Sequence, residues 1–158
     1  MEGVEKLTDI LGGIELTSIE NIPSKTLTVS KGEKITLSGR QARTYIAYRD
    51  DDVEANARRM ERQKQFMTAL MNKLASEISG DFSKLTTIYT TLSPYFNTNV
   101  SFAQTAYLAQ SCLSLNFGDS IDYKSIDGAL IEGEEWIEFE ADEESLLKTV
   151  IDVFYSPK

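Results

Sequence analysis

The stretch DDDVEANARRMERQKQFMTALMNKLASEISG, residues 50 to 80, constrains the fold more than any other part of the chain. Its acidic opening suits the positive end of a helix dipole, Asp51 and Glu54 have capping spacing, and Gly80 supplies a stop. One long helix is therefore predicted. Val53, Ala57, Met60, Met67, Leu70, Met71, Leu74 and Ile78 are its expected apolar positions, with the methionines read as core. A helix of that length needs other elements to cover it.

Those elements are short. VEKLTDILGG places Val4, Leu7, Ile10 and Leu11 at helical spacing and stops at Gly12-Gly13. IELTSI alternates and reads as a strand, ENIPSK as a polar loop, KGEK as a turn and ITLS as a second extended piece. Ser38 with Gln41 forms a capping box that starts a helix at GRQARTYIAY, with Ala42, Tyr45 and Ile46 as its buried stripe. Asp81 is expected to open a further helix, FSKLTTIYTTL, ended near Pro94, and Ser101 with Gln104 to open FAQTAYLAQSCLSL. DYKSI and EWIEFE read as strands, and Asp142 caps a last helix carrying Leu146, Leu147, Val150, Ile151 and Phe154. Helices and strands intermix, so the predicted class is mixed α/β, helices packed on a small sheet, within one domain spanning 1–158. About four strands are visible, few for so many helices.

Composition narrows the chemistry. There is one cysteine, Cys112, read as a buried small hydrophobe, and no histidine, so a disulfide framework, the usual zinc sites and histidine acid–base catalysis are excluded. A formal net charge of -9 argues against non-specific nucleic-acid binding. No apolar run approaches the roughly 20 residues of a membrane span, and MEGVEKLTDI has no secretory character. The 41% hydrophobic and 26% charged content suits a soluble globular chain.

Against that acidity, all six arginines fall between Arg40 and Arg62. Arg59, Arg62, Gln63 and Phe66 stand at i, i+3, i+4 and i+7 of the long helix, so an amide and two guanidinium groups share a face, and Arg49 precedes the cap. A planar fork of donors suits a carboxylate or a phosphate. Two readings stay open: the arginines pair with Asp50, Asp51, Asp52, Glu54 and Glu61, or they bind phosphate or pyrophosphate at the junction of an incoming segment and a helix. Arg58, a 100° step off the Arg59 face, is assigned to pairing. Tyr89, Tyr95, Phe96 and Tyr107 are read first as core, and Trp136 has no assigned role.

The ordered set LGGIEL, LSGRQARTYIAYR and ARRMERQKQF resembles the second half of the LytR-CpsA-Psr domain, also called the cell-envelope-related transcriptional attenuator domain. NTNVSF resembles that family's T-N segment. The resemblance implies an α-β-α layered domain of membrane-anchored proteins from mostly Gram-positive bacteria. These transfer anionic glycopolymers such as teichoic acid or capsule from a polyprenyl-pyrophosphate carrier onto peptidoglycan, on the extracytoplasmic face of the membrane. It implies Arg49, Arg59, Arg62 and Gln63 as pyrophosphate ligands, with Arg49 and Arg59 serving catalysis, and Mg²⁺ held by aspartates outside this chain. It adds an isoprenoid channel as a second reading of the four aromatic residues. Two departures are evident: Ala47 stands where the family shows the first arginine of R-x-R, and the first half of the domain, with its membrane anchor and metal ligands, has no counterpart here. The expectation is a phosphotransferase domain in fragmentary or diverged short form, or else a non-catalytic module binding a phosphate-bearing lipid or a protein.

Overall fold

A computed structural model describes residues 1–50, 55–113, 123–133 and 137–155. The chain divides into two compact units, Met1–Ile121 and Asp122–Lys158. The elements confirm the mixed α/β class, with β-strands in two-stranded antiparallel ribbons and helices packed around them.

The first unit begins with α1 (Glu2–Ile10), followed by Gly12 and Gly13, both at positive φ. Gly13 is also sterically required: a Cβ there would meet the Thr36 methyl at 2.7 Å. That closeness lets β1 (Ile14–Thr17) pair with β4 (Lys34–Leu37), Ile14 opposite Leu37 and Leu16 opposite Ile35. Ile14, Leu16 and Leu37 are buried while Glu15 and Thr17 face out, the alternation of a half-buried ribbon. Leu11 joins the core, whereas Ile10 turns outward.

The segment read as a loop, ENIPSK, contributes β2 (Ile22–Pro23), which pairs with β3 (Thr28–Val29). Its polar residues make the turn, closed by Ser24 N donating to Leu27 O at 3.0 Å, while Ile22, Leu27 and Val29 are buried. Burial of three apolar side chains outweighs the polar character of the residues between them.

The capping box at Ser38 and Gln41 is present, and α2 (Gly39–Ala47) buries Ala42, Tyr45 and Ile46 as expected. Gly39 lets α2 approach α1: Gly39 N donates to Asp9 Oδ1 at 2.7 Å, and a Cβ at 39 would strike the Glu5 carbonyl oxygen.

The long helix α3 spans Ala55–Gly80; the cap predicted at Asp51 and Glu54, with Asp52 and Val53, lies outside the described residues. Its buried face differs from the predicted one. Ala55, Arg62, Phe66, Leu70 and Ile78 are buried, while Ala57, Met60 and Met67 are exposed. The inward stripe runs at steps of four through 62, 66, 70, 74 and 78, and a buried arginine stands where the apolar pattern is interrupted.

Asp81 opens an Asx turn, accepting from Ser83 N at 3.0 Å, and α4 (Lys84–Leu92) starts after it, followed by a 3₁₀ turn (Ser93–Tyr95). The second capping box holds, Ser101 N donating to Gln104 Oε1 at 2.8 Å at the head of α5 (Phe102–Leu113). Tyr89 stacks edge-on against Phe102 at 5.2 Å, but Tyr95, Phe96 and Tyr107 are exposed, Tyr107 at 72%, so these three are not core. Cys112 is half-buried.

In the second unit β5 (Gly128–Glu132) pairs with β6 (Ile137–Ala141), and α6 (Glu143–Phe154) follows. The expected strand DYKSI is not one: Tyr123–Asp127 has no regular structure. Asp127 instead serves the start of α6, its carbonyl accepting from Asp142 N at 2.7 Å and its amide donating to Ser145 Oγ at 3.0 Å. Asp142 caps α6 as predicted, accepting from Ser145 N at 2.7 Å. Trp136 lies outside the described residues.

Candidate functional site

The last carbonyls of an α-helix have no partner within the helix and carry its negative dipole end. At the end of α2, Thr44 O accepts from Tyr48 N at 2.9 Å, leaving Tyr45, Ile46 and Tyr48 to find donors elsewhere. α3 supplies them. Arg62 Nε donates to Tyr45 O at 2.8 Å, its Nη2 donates to Tyr48 O, and Gln63 Nε2 donates to Ile46 O at 3.1 Å.

Arg62 is only 1% exposed, and a buried guanidinium needs a counter-charge. Glu20, in the β1–β2 loop, provides it at Nη1, and its other oxygen accepts from Arg58 Nε at 3.1 Å. Arg58 Nη2 also donates to Asp50 Oδ2 at 3.1 Å, and Asp50 Oδ1 accepts from the Tyr48 hydroxyl. The Arg62 guanidinium lies 5.6 Å from the Tyr48 ring centroid, a cation–π contact. Burial pulls the Arg62 pKa below its ordinary value, although an arginine so paired keeps its charge.

A parallel set of bonds fixes Tyr45. Its hydroxyl donates to Gln65 Oε1 and accepts from Ile19 N at 3.4 Å, and Gln65 Nε2 donates to Thr17 O at 2.6 Å. Burial pushes the Tyr45 hydroxyl above its ordinary pKa, so it remains a neutral donor. The loop after β1, the end of α2 and the first turns of α3 are thus joined by polar contacts.

The expected ligands separate into two pairs. Arg62 and Gln63 direct donors at α2 carbonyls and, for Arg62, at Glu20, so all three Arg62 nitrogens face protein acceptors. Arg59 and Arg49 differ. Arg59 Nη2 donates to Asn56 Oδ1 at 2.7 Å, but its Nε is buried without an acceptor among the described residues. Arg49 is exposed, one residue beyond the carbonyl that Arg62 holds, and no described residue forms an ion pair with it. Ala47 is exposed on the last turn of α2. The pairing assigned to Arg58 holds through Asp50, while Glu20, 38 residues upstream of Arg58, gives no local signal as its second partner.

Behind this junction, α3, α4 and α5 line a half-open apolar cavity of about 270 Å³, with Leu74, Ile78, Leu85, Ile88, Leu108 and Cys112 among its lining. Among the described residues, no three acidic or thiol side chains come together as a metal site, and no helix is long and apolar enough to cross a membrane.

A ribbon, a helix whose C-terminal carbonyls are capped by an arginine and a glutamine of the next long helix, and a further arginine whose buried Nε meets no acceptor among the described residues define this mixed α/β unit. The chain belongs to the LytR_cpsA_psr family, whose profile matches residues 1–151. It is similar to a Bacillus subtilis (strain 168) protein named polyisoprenyl-teichoic acid–peptidoglycan teichoic acid transferase TagU, 30% identical over 102 residues, which is 65% of this chain and 32% of that one. The Oceanobacillus iheyensis protein of the same name is 33% identical over 76 residues, 48% of this chain and 23% of that one. Among solved structures, Bacillus subtilis TagV superposes with TM-score 0.77 at 24% identity, covering 99% of this chain and 62% of that one. A transcriptional regulator from Enterococcus faecalis superposes with TM-score 0.76 at 24% identity, covering 94% and 53%. The chain spans about a third, or less, of the length of these curated relatives.

Proposed function

We propose that this chain carries the pyrophosphate-gripping part of a cell-envelope glycopolymer transferase, with Arg49 and Arg59 as the contacting guanidinium groups. The substrate is a polyprenyl-pyrophosphate-linked anionic polymer and the acceptor is peptidoglycan, which places the work on the extracytoplasmic side of the membrane. The observation that carries the reading is Arg59, a guanidinium whose buried Nε has no acceptor among the described residues, standing one turn from Arg62 at a junction that orients arginines. The names of the curated relatives support the substrate class.

In phosphoryl transfer the protein mainly positions groups and stabilises charge. Arg49 and Arg59 would bind the pyrophosphate and neutralise the charge that gathers on the departing carrier phosphate. Arg62 and Gln63, expected as direct ligands, support the site by holding the end of α2. The apolar cavity between α3, α4 and α5 suits the carrier's isoprenoid tail better than the exposed Tyr95, Phe96 and Tyr107 do. The family implies Mg²⁺, but the described residues do not fit it: Asp50 is engaged by Arg58 and Tyr48, and no cluster of acidic side chains gathers among them to hold the ion.

A second reading is a non-catalytic binder of phosphate-bearing lipid, favoured by Ala47 in place of a family arginine. Incubation with polyprenyl-pyrophosphate-linked polymer, peptidoglycan and Mg²⁺ separates the two. The transferase reading expects release of polyprenyl phosphate; binding without release supports the binder.

A further inference from the structure

Arg49 is carried by a segment whose backbone and flanking carboxylate are gripped by two arginines, and those two arginines share one carboxylate, Glu20. Glu20 is 14% exposed at the side chain and sits in a loop that is itself tied down, Ser18 Oγ donating to Glu20 O at 2.7 Å and Ile19 N to the Tyr45 hydroxyl at 3.4 Å. Its two oxygens face two guanidinium groups, Arg58 Nε at 3.1 Å and Arg62 Nη1. Each of those arginines reaches on to the residues flanking Arg49. Arg62 holds the carbonyls of Tyr45 and Tyr48, and Arg58 holds the carboxylate of Asp50.

We propose that Glu20 is a positioning residue for the anion site: by pairing with Arg58 and Arg62 together, it fixes the Tyr45–Asp50 arm and so the aim of Arg49. Two arginines four residues apart on one helix repel each other, and the carboxylate between them removes that repulsion. A guanidinium is a rigid plane, so a carboxylate on one edge sets the direction of the donors on the others. Losing the Glu20 charge leaves Arg62 free to turn away from Tyr48, and the arm then loses its anchor on either side of Arg49. The role given to Arg49 rests on the proposed pyrophosphate reading; the hold on the arm does not.

The test uses the full chain as wild type, Glu20→Gln, Glu20→Asp and, as control, Glu15→Gln, which breaks only the exposed pair with Lys34. Glu20→Asp keeps the charge and shortens the reach, and serves if Glu20→Gln does not fold. Hydrogen exchange is followed in the peptide covering residues 44–50, and inorganic pyrophosphate binding is measured by calorimetry. Both Glu20 variants are expected to exchange faster across 44–50 and to bind pyrophosphate about tenfold more weakly, a coupling of ordinary size for contacting groups, while the control matches wild type. Unchanged exchange across 44–50 overturns the role, as does a fall in melting temperature with affinity intact, which is the mark of a merely structural pair. A wild type that does not bind pyrophosphate overturns the proposed function instead, and the exchange comparison still tests the hold on the arm.

Discussion

The two ends of α3 are fastened to the first unit by opposite means. From Arg58 to Gln65 the helix is held by directed polar contacts to Glu20, Tyr45, Ile46, Tyr48 and Thr17. From Leu70 to Ile78 it is held by apolar packing shared with Leu85 and Ile88 of α4. Apolar contact is non-directional and tolerates small rotations, whereas a guanidinium bonded on three nitrogens allows one orientation. The polar end therefore determines where the arm carrying Arg49 lies, and the apolar end supplies stability and lines the half-open cavity.

Substitutions at the two ends test that difference. Arg62→Met strips one Glu20 oxygen and two carbonyls of their partner, and breaking a buried pair from one side costs about 3–5 kcal/mol. Urea unfolding should report that loss, and pyrophosphate affinity should fall with it. Leu70→Ala is expected to cost about 3 kcal/mol by opening a cavity, yet to leave pyrophosphate affinity within about twofold of wild type. Equal losses of affinity in the two variants would erase the distinction between the ends.

Arg59→Ala should do the reverse of Leu70→Ala. It removes a partly unpartnered side chain, so unfolding free energy should change by less than about 0.5 kcal/mol, while pyrophosphate binding weakens by about 1.5–3 kcal/mol, the range for charged hydrogen bonds. A titration paired with a melting curve checks both halves.

The smallest effect belongs to Glu77, on the apolar end but on its solvent side. Lys73 at 2.8 Å and Lys84 pull its pKa from 4.5 to about 2. A pKa lowered by folding adds stability above pH 4.5 and loses it as pH falls toward 2. Glu77→Gln should therefore lose less melting temperature than wild type between those pH values, and the difference should shrink in high salt, since its lysine partners reach into solvent.

What the sequence made legible follows the range of the interactions. The caps at Ser38, Ser101 and Asp142 depend on residues three apart, and each is found where expected. The α2 stripe of Ala42, Tyr45 and Ile46 is read correctly because its apolar pattern is unbroken. The face of α3 is read partly wrongly because Met60 and Met67 look like core residues and Arg62 does not; the buried arginine is explained only by carbonyls and a carboxylate from other elements. Glu20 has no local mark at all, lying in a polar loop far from its partners. For the candidate site, spacing gathers Arg59, Arg62 and Gln63 on one helix. Only the fold shows that Arg62 and Gln63 face inward to α2 while Arg59 retains a buried donor without an acceptor.

Binding of polyprenyl pyrophosphate by wild type, Arg59→Ala and Arg40→Ala, the last an exposed arginine at the far end of α2, probes that division of labour among the arginines. Arg59→Ala should lose most of the affinity while Arg40→Ala matches wild type. Equal affinity in all three would contradict it.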